Sequence, residues 1–317
     1  MMTITRPGDL WVIGPHRLIC GSSADPVIVA NLMGGERADL CISSPPYLHQ
    51  RNYLTPIGDW NLLMQRSFAL LPMCHEGQVL VNLGNVHRNG EVQTYWLDWL
   101  EWMRTQGWRF FGQYVWDKGA GLPGDWNGRL APSYEHLFHF NRTTRKPNKT
   151  KAKRPGSIAY YTGKGMLRNP DGSKGKVSNK AAFLATHKVP DDVIRVRRDT
   201  APGLARNHPA VFPVGLPMEI ITAYSDPGQI IYEPFAGAGT TIIAAQRTGR
   251  RCYAVELQPE YCDNAIRRIQ QVTGLVAVLD QSFEWFEVPN WLELMNLPLV
   301  EREECTNDDA PPDHVVI

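Results

Sequence analysis

Hydrophobic positions in the first third of the chain alternate between short apolar runs and longer segments with helical spacing. The short runs predict strands and the longer segments predict helices, so together they indicate a parallel sheet covered by helices. The predicted strands are 17–21, 38–43, 78–83 and 110–116, and the predicted helices are 26–34, 59–74 and 92–106. The last of these helices carries five large apolar residues on one face, and we expect them to pack in the core. They are Tyr95, Trp96, Trp99, Leu100 and Met103.

A further strand is predicted at 134–140, antiparallel to 110–116. Its two histidines, His136 and His139, are three residues apart and point to opposite faces of a strand, so they cannot share a metal ion. We interpret both as structural and expect no metal site. After residue 206 the pattern resumes, with strands at 230–234 and 251–257 and helices at 240–248 and 259–272. The sequence therefore predicts an α/β protein whose central segment interrupts the sheet.

Composition restricts the class of protein. The 317 residues are 43% hydrophobic and 21% charged, which is typical of a globular chain of about two domains. The six cysteines form no CxxC pair, so neither a disulfide framework nor a zinc knuckle is expected. No run approaches ~18 apolar residues, and the first residues lack the apolar core of a secretory signal. These features predict a cytoplasmic protein that does not span a membrane.

The net charge of +1 conceals a strong separation of charges along the chain. Residues 141–200 carry a net charge of +12, whereas residues 278–317 carry −9. The basic segment is also the one in which hydrophobic periodicity fades. A segment of this charge can neutralise several phosphates, and the alternative is a merely solvated surface insertion.

A glycine-rich turn follows the predicted strand 230–234. Its sequence from Glu233 to Thr241 is EPFAGAGTT, and its glycines permit a tight turn and close approach of a ligand to the backbone. The turn lacks the third glycine of a dinucleotide fingerprint, which disfavours a nicotinamide cofactor. It also lacks the Gly-Lys-Ser/Thr of a P-loop, which disfavours binding of ATP phosphates. Glu256 ends the next strand, where a carboxylate can accept hydrogen bonds from both hydroxyls of a ribose. A nucleoside without a phosphate fits these features best.

The tetrapeptide Ser44-Pro45-Pro46-Tyr47 follows the apolar strand 38–43. Two prolines in succession lack N–H groups, so they end the strand in an extended turn. Ser44 Oγ and the Pro45 carbonyl can accept hydrogen bonds from an exocyclic amine while Tyr47 stacks on the base. A bare Pro-Pro-Tyr is more often a loop or a peptide ligand, but its place at the end of a buried strand favours a functional interpretation.

These two motifs resemble those of the amino-directed DNA methyltransferases that use S-adenosylmethionine. Ser44–Tyr47 resembles their catalytic tetrapeptide, and Phe235–Gly239 resembles their cofactor motif. The catalytic motif comes first, a basic segment follows, and the cofactor motif comes last, as in the circularly permuted β group. The resemblance covers about residues 8–272. It implies a Rossmann-like methyltransferase fold with a mostly parallel sheet and a basic target-recognition insertion.

The resemblance also divides the chain into four parts. Residues 8–140 correspond to the catalytic half of the core, 141–206 to the insertion, 207–274 to the cofactor-binding half and 275–317 to an acidic extension. Family members often carry an acidic residue after the strand that ends near Gly21, where this chain has serines, so Asp25 is a candidate replacement. The expected cofactor contacts are Asp25, Phe212, Pro213, Glu233, Phe235, Ala236, Gly237, Gly239, Thr240, Thr241 and Glu256.

The implied reaction is direct transfer of a methyl group to the exocyclic amine of a base that is flipped out of double-stranded DNA. Arg51 and Tyr53 resemble a common extension of the catalytic loop in this family. The expected DNA contacts are Arg51, Tyr53, Lys149, Lys151, Lys153, Arg154, Lys164 and Arg168. A cognate restriction endonuclease is a candidate partner, and both a monomer and a homodimer are open.

The target base depends on one residue. In this family, serine at the first position of the tetrapeptide is associated with cytosine N4 and aspartate with adenine N6, so Ser44 favours cytosine. Adenine N6 remains the alternative. Two further hypotheses are an inactive DNA-binding protein that has kept the fold, for which Ser22 is the hint, and an RNA methyltransferase.

Overall fold

The computed structural model describes residues 3–47, 58–119, 121, 126, 128–152, 167–168, 173–175, 186–197 and 212–280. Within these ranges the helices are α1 (Pro26–Met33), α2 (Trp60–Ala69), α3 (Leu97–Thr105), α4 (Gly215–Tyr224), α5 (Thr240–Thr248) and α6 (Pro259–Thr273). The strands are β1 (Leu10–Ile13), β2 (His16–Cys20), β3 (Ala38–Ser43), β4 (Met73–Leu83), β5 (Val86–Arg88), β6 (Glu91–Gln93), β7 (Arg109–Asp117), β8 (Tyr134–Asn141), β9 (Lys151–Ala152), β10 (Leu167–Arg168), β11 (Lys174–Gly175), β12 (His187–Lys188), β13 (Val193–Arg195), β14 (Ile230–Glu233), β15 (Arg251–Glu256) and β16 (Ala277–Leu279).

Ten strands form one twisted sheet in the order β13-β7-β8-β4-β3-β14-β15-β2-β1-β16. The central strands β4, β3, β14, β15 and β2 run parallel to one another. Strand β8 runs antiparallel to both β4 and β7, as expected for 134–140. The predicted Rossmann-like α/β fold with a mostly parallel sheet is confirmed.

Helices cover both faces of the sheet because the side chains of each buried strand alternate between the two faces. In β15, Tyr253 and Val255 pack in one apolar cluster with α1, α2 and α3, whereas Cys252 and Ala254 pack in a second cluster with α4, α5 and α6. The predicted apolar face of α3 is buried in the first cluster, where Trp99 and Met103 are fully buried. The carboxyl edge of the parallel strands is therefore held between two packed layers.

Two predicted helices are shorter than the sequence indicated. Helix α2 ends at Ala69, and the predicted helix 59–74 was wrong beyond that point because Pro72 cannot continue a helix and Met73 starts β4. The predicted helix 92–106 starts only at Leu97. The residues before it form the hairpin β5–β6, whose turn holds Asn89 and Gly90 at φ +52° and +82°. An Asn-Gly pair is a strong signal for such a turn, and periodicity alone missed it.

The edges of the sheet come from segments that the sequence placed outside the core. Strand β13 lies within residues 141–206, the predicted insertion, and pairs parallel to β7. Strand β16 lies in the acidic extension and pairs with β1, itself part of a hairpin with β2 that sequence reasoning did not predict. The sequence also suggests that the aromatic residues between 283 and 291 dock over the core, and they lie outside the described residues. Among the residues that the structure describes, no helix has the length and apolarity needed to cross a membrane.

Candidate active site

The two sequence motifs meet at one edge of the sheet. Strands β3 and β14 are parallel neighbours with Cys41 beside Tyr232, and β14 and β15 are parallel with Tyr232 beside Tyr253. The residues that follow these strands therefore leave the sheet at the same side. Such a carboxyl edge is where open α/β sheets bind their ligands.

The glycine turn between β14 and α5 has a left-handed backbone at two positions, with φ +52° at Gly237 and +71° at Gly239. A Cβ on Gly239 would lie 2.9 Å from Ile269 Cδ1, so α6 packs directly against this turn. The Ala236 N–H donates to the Val255 carbonyl at 2.8 Å, which ties the turn to β15. Helix α5 then begins at Thr240 with its first N–H groups at this edge.

Glu256 ends β15 beneath the glycine turn. Its Oε2 accepts the Gly237 N–H at 2.8 Å, and its Oε1 accepts the Gln258 N–H at 2.9 Å. Burial raises the pKa of Glu256 to about 7, although these two backbone donors partly oppose the shift. Among the described residues it forms no ion pair with lysine or arginine. The carboxylate also has a backbone hydrogen bond from Leu257, and its remaining acceptor capacity suits a ligand with hydroxyl donors, as a ribose has.

Glu233 ends β14 and supports the turn from within. Its Oε1 accepts the Phe235 N–H at 3.1 Å, and its Oε2 accepts the Thr241 hydroxyl at 2.8 Å. Burial raises the pKa of Glu233 to about 8. On the other side, the Arg268 guanidinium donates to Thr240 Oγ1 at 2.8 Å. The buried Glu233, Thr240 and Thr241 therefore hold the backbone of the turn.

Three other predicted cofactor residues have local roles. Asp25 caps α1 by accepting the Val27 N–H at 2.9 Å, so one of its oxygens is already engaged. Pro213 accepts the Leu216 N–H through its carbonyl at 3.1 Å and so begins α4. Phe212 is half-buried and packs against the same apolar cluster as α4 and α5.

The tetrapeptide is held in place by residues that sequence reasoning missed. Tyr47 is 6% exposed, and its hydroxyl lies 2.7 Å from Glu135 Oε2 and 3.1 Å from Asn82 Oδ1. Ser44 Oγ lies 3.4 Å from Asn82 Oδ1. The Trp60 indole donates to the Pro46 carbonyl at 2.7 Å, which leaves the Pro45 carbonyl as the candidate acceptor for an amine.

Glu135 is itself paired within the protein. Its Oε1 lies 2.9 Å from Lys118 Nζ, and both side chains are almost buried. Burial and then the Glu135 charge raise the pKa of the Tyr47 hydroxyl well above its ordinary value, so Tyr47 stays protonated. The signal that could have found Asn82 is a polar residue at the end of the otherwise apolar run VLVNL.

The structure describes part of the predicted DNA-contact set. Lys149 is exposed, whereas Lys151 Nζ lies 2.5 Å from Glu219 Oε1 on α4. Arg168 lies on β10. The other predicted contacts lie outside the described residues, namely Arg51, Tyr53, Lys153, Arg154 and Lys164.

Solved structures share this fold. The PvuII cytosine-N4-specific DNA methyltransferase is 18% identical, with a TM-score of 0.55 over 81% of this chain and 89% of that one. The protein TTHA0409 from Thermus thermophilus, described as a putative DNA modification methylase and complexed with S-adenosyl-L-methionine, is 22% identical. Its TM-score is 0.50 over 84% of this chain and all of that one. At these identities the similarity supports the fold alone.

The sequence comparisons go further. The orphan methyltransferase M.BamHII of Bacillus amyloliquefaciens is 28% identical over 242 residues, which cover 73% of this chain and 88% of the relative. The family model described as DNA methylase matches residues 38–267, a span that includes both motifs and the segment between them. The chain therefore belongs to the DNA methylase family, whose members are amino-directed DNA methyltransferases.

Proposed function

We propose that this chain transfers a methyl group from S-adenosylmethionine to the exocyclic N4 amine of cytosine in double-stranded DNA. We also assign it to the circularly permuted β group, with Ser44–Tyr47 as the catalytic tetrapeptide. One observation carries the proposal: the parallel pairing of β3 with β14 places Ser44 and the glycine turn at the same edge of the sheet. A methyl donor and an acceptor amine can meet only if both are held there.

In our proposal the cofactor half of this edge binds S-adenosylmethionine and orients it. S-adenosylmethionine, the cofactor of this family, supplies the methyl group on a sulfonium. In our proposal Glu256 accepts the ribose hydroxyls, and the glycine turn lets the ligand approach the backbone closely. Glu233 and Thr241 keep the turn in shape, and Asp25 caps α1 and offers its second oxygen as the replacement acidic contact. The residues that border the ligand are Phe235, Ala236, Phe212 and Pro213.

The target half must favour the reactive form of the amine. The lone pair of an exocyclic amine is delocalised into the ring, so acceptors that bind its N–H groups more strongly in the transition state lower the barrier. Ser44 Oγ and the Pro45 carbonyl are those acceptors in the proposal. Neither is a strong base, and the proton leaves after transfer, when the amine has become cationic. The hydroxyl contacts of Tyr47 fix its ring beside them.

Base flipping costs a few kcal/mol and needs contacts to the DNA backbone. The basic segment 141–200 supplies a net charge of +12 for those contacts. The DNA contacts that we propose are Arg51, Tyr53, Lys149, Lys151, Lys153, Arg154, Lys164 and Arg168. DNA binding through them should weaken steeply with salt.

The preference for cytosine rests on Ser44. The test is to incubate duplex DNA with the protein and deuterium-labelled S-adenosylmethionine, digest the DNA to nucleosides and identify the labelled nucleoside by mass. We expect labelled N4-methylcytosine, formed about 10²–10³-fold more slowly with Ser44→Ala. Labelled N6-methyladenine alone would contradict the assignment and support the alternative target.

The same assay tests whether the substrate is DNA or RNA. Duplex DNA and structured RNA compete for label in one mixture, and we expect label in the DNA. Calorimetry with S-adenosylmethionine addresses an inactive DNA-binding protein, since such a protein is expected to show no cofactor binding.

A further inference from the structure

Three residues from three different strand ends converge on the tetrapeptide. Asn82 lies near the end of β4, Glu135 near the start of β8, and Lys118 directly after β7. They are connected in a row: Lys118 Nζ to Glu135 Oε1 at 2.9 Å, and Glu135 Oε2 to the Tyr47 hydroxyl at 2.7 Å. No assigned role in the reaction accounts for a nearly buried ion pair at this place.

The Tyr47 hydroxyl has one proton and lies 2.7 Å from Glu135 Oε2, 3.1 Å from Asn82 Oδ1 and 3.4 Å from Ser44 Oγ. An ionised carboxylate can only accept hydrogen bonds, and it is a stronger acceptor than an amide oxygen. Glu135 forms an ion pair with Lys118, with 2.9 Å between Oε1 and Nζ, and both side chains are nearly buried. With Glu135 at 2.7 Å and Asn82 at 3.1 Å, Tyr47 donates to Glu135.

The direction of the Tyr47 hydrogen bond determines in which direction the Ser44 hydroxyl donates. Asn82 donates through Nδ2 to the His136 carbonyl at 3.0 Å, which directs its Oδ1 toward Ser44 and Tyr47. Once the Tyr47 proton is on the Glu135 side, Asn82 Oδ1 and the Tyr47 oxygen, each 3.4 Å from Ser44 Oγ, are left to accept the Ser44 proton. A serine that donates inward presents its lone pairs outward, and these are what an amine N–H requires.

We propose that Lys118 and Glu135 are positioning residues that keep Ser44 in the acceptor orientation through Tyr47 and Asn82. The proposal rests on the proposed function, because it gives Ser44 its role as the acceptor for the target amine. Lys118 and Glu135 act through Tyr47 and are not themselves assigned contacts with the base or the cofactor.

The central test is Glu135→Gln, which keeps the shape of the side chain and removes the charge. A glutamine amide is a weaker acceptor and can present a donor to Tyr47, so Tyr47 can turn to Asn82 and Ser44 loses its partner. We expect kcat to fall about 10- to 100-fold, the range for loss of one charge-assisted hydrogen bond. The cofactor Kd and the DNA KM should stay within about twofold, because neither half of the binding surface is changed.

Three comparisons separate positioning from general support of the fold. Glu135→Asp keeps the charge and should recover part of the lost kcat. In a Tyr47→Phe background the Glu135→Gln change should have little further effect, because the hydroxyl through which the pair acts is gone. Glu101→Gln breaks the exposed ion pair with Arg104 on α3 and should leave kcat unchanged.

Three results would overturn the proposal. It fails if Glu135→Gln has the kcat of the wild type, or if its loss is equally large in the Tyr47→Phe background. It also fails if kcat, both affinities and the melting temperature fall together and Glu135→Asp recovers none of them. Wild-type protein without methyl transfer, or Ser44→Ala as active as the wild type, would instead contradict the proposed function.

Discussion

The two halves of the carboxyl edge are built in different ways. In the cofactor half, hydrogen bonds join residues that are close along the chain: Glu233 to Phe235, two residues apart, and Glu256 to Gly237, nineteen apart. In the target half, Ser44 reaches Asn82, 38 residues away, and Tyr47 reaches Glu135, 88 residues away. The glycine turn and Glu256 of the cofactor half therefore come from one short stretch of the chain, whereas the target half exists only after β3, β4 and β8 have paired.

The halves also differ in whether a buried carboxyl group has a positively charged partner among the described residues. Glu233 and Glu256 have no described ion pair, and burial raises their pKa values to about 8 and about 7. Glu135 lies beside Lys118. The cofactor half thus gains negative charge as the pH rises, whereas Glu135 in the target half is paired with Lys118. A ligand with hydroxyl donors and a positively charged sulfonium suits the first arrangement.

The largest expected effect is a fall in kcat that leaves the cofactor Kd unchanged, which distinguishes the target half from the cofactor half. Ser44→Ala removes the proposed acceptor for the target amine, so kcat should fall about 10²–10³-fold, as for loss of one preorganised hydrogen bond in a transition state. The cofactor Kd, measured by calorimetry, should be unchanged. Thr105→Ala, which removes an exposed hydroxyl at the end of α3, is the control. Equal activity of Ser44→Ala and wild type would remove Ser44 from the mechanism.

Glu256→Gln should produce the opposite pattern. The substitution weakens the acceptor for the ribose and turns an amide donor toward the Gly237 N–H or the ligand, so the cofactor Kd should rise about 10- to 100-fold. At saturating cofactor, kcat should be close to that of the wild type, because the target half is intact. The exposed Glu260 of α6, changed to glutamine, serves as the control. A fall in kcat with an unchanged cofactor Kd would contradict the division of the edge.

A smaller effect is expected from pH. The pKa of Glu256 is raised to about 7, so below that pH the free protein holds a proton that blocks its acceptor role. Cofactor affinity should therefore increase as the pH rises, by about tenfold between about pH 6 and pH 8. Titration calorimetry at several pH values measures this, and Glu256→Gln should flatten the dependence. An affinity that falls over this range would contradict the proposed role of the carboxylate.

The smallest expected effect concerns DNA. Lys149 is exposed, whereas Lys151 already lies beside Glu219. Lys149→Ala should weaken binding to random duplex DNA a few-fold and lower the salt slope by about one, as for the loss of one phosphate contact. Lys151→Ala should change the slope less, because Glu219 already neutralises that charge. Fluorescence anisotropy across salt concentrations compares the two, and a larger effect at Lys151 would contradict this ranking.

This difference in construction explains what the sequence could predict. The glycine turn, the strand before it and Glu256 occur in one short stretch, so spacing alone indicated their proximity. The edge strand β13 was hidden because its three residues lie in a basic segment without periodicity. Glu135 and Lys118 gave no local signal, since their meeting with Tyr47 depends on the antiparallel pairing of β8 with β4 and β7. Only Asn82, a polar residue in an apolar strand, carried a hint.

The most direct test of the central claim is sequencing that detects modified bases in DNA from cells that express this chain and lack their own DNA methyltransferases. It reports the modified base, its sequence context and the activity together. The account predicts N4-methylcytosine within one recurring short sequence for the wild type and a much lower fraction of modified sites for Ser44→Ala. Unmodified DNA from cells that express folded wild-type protein, or N6-methyladenine alone, would contradict it.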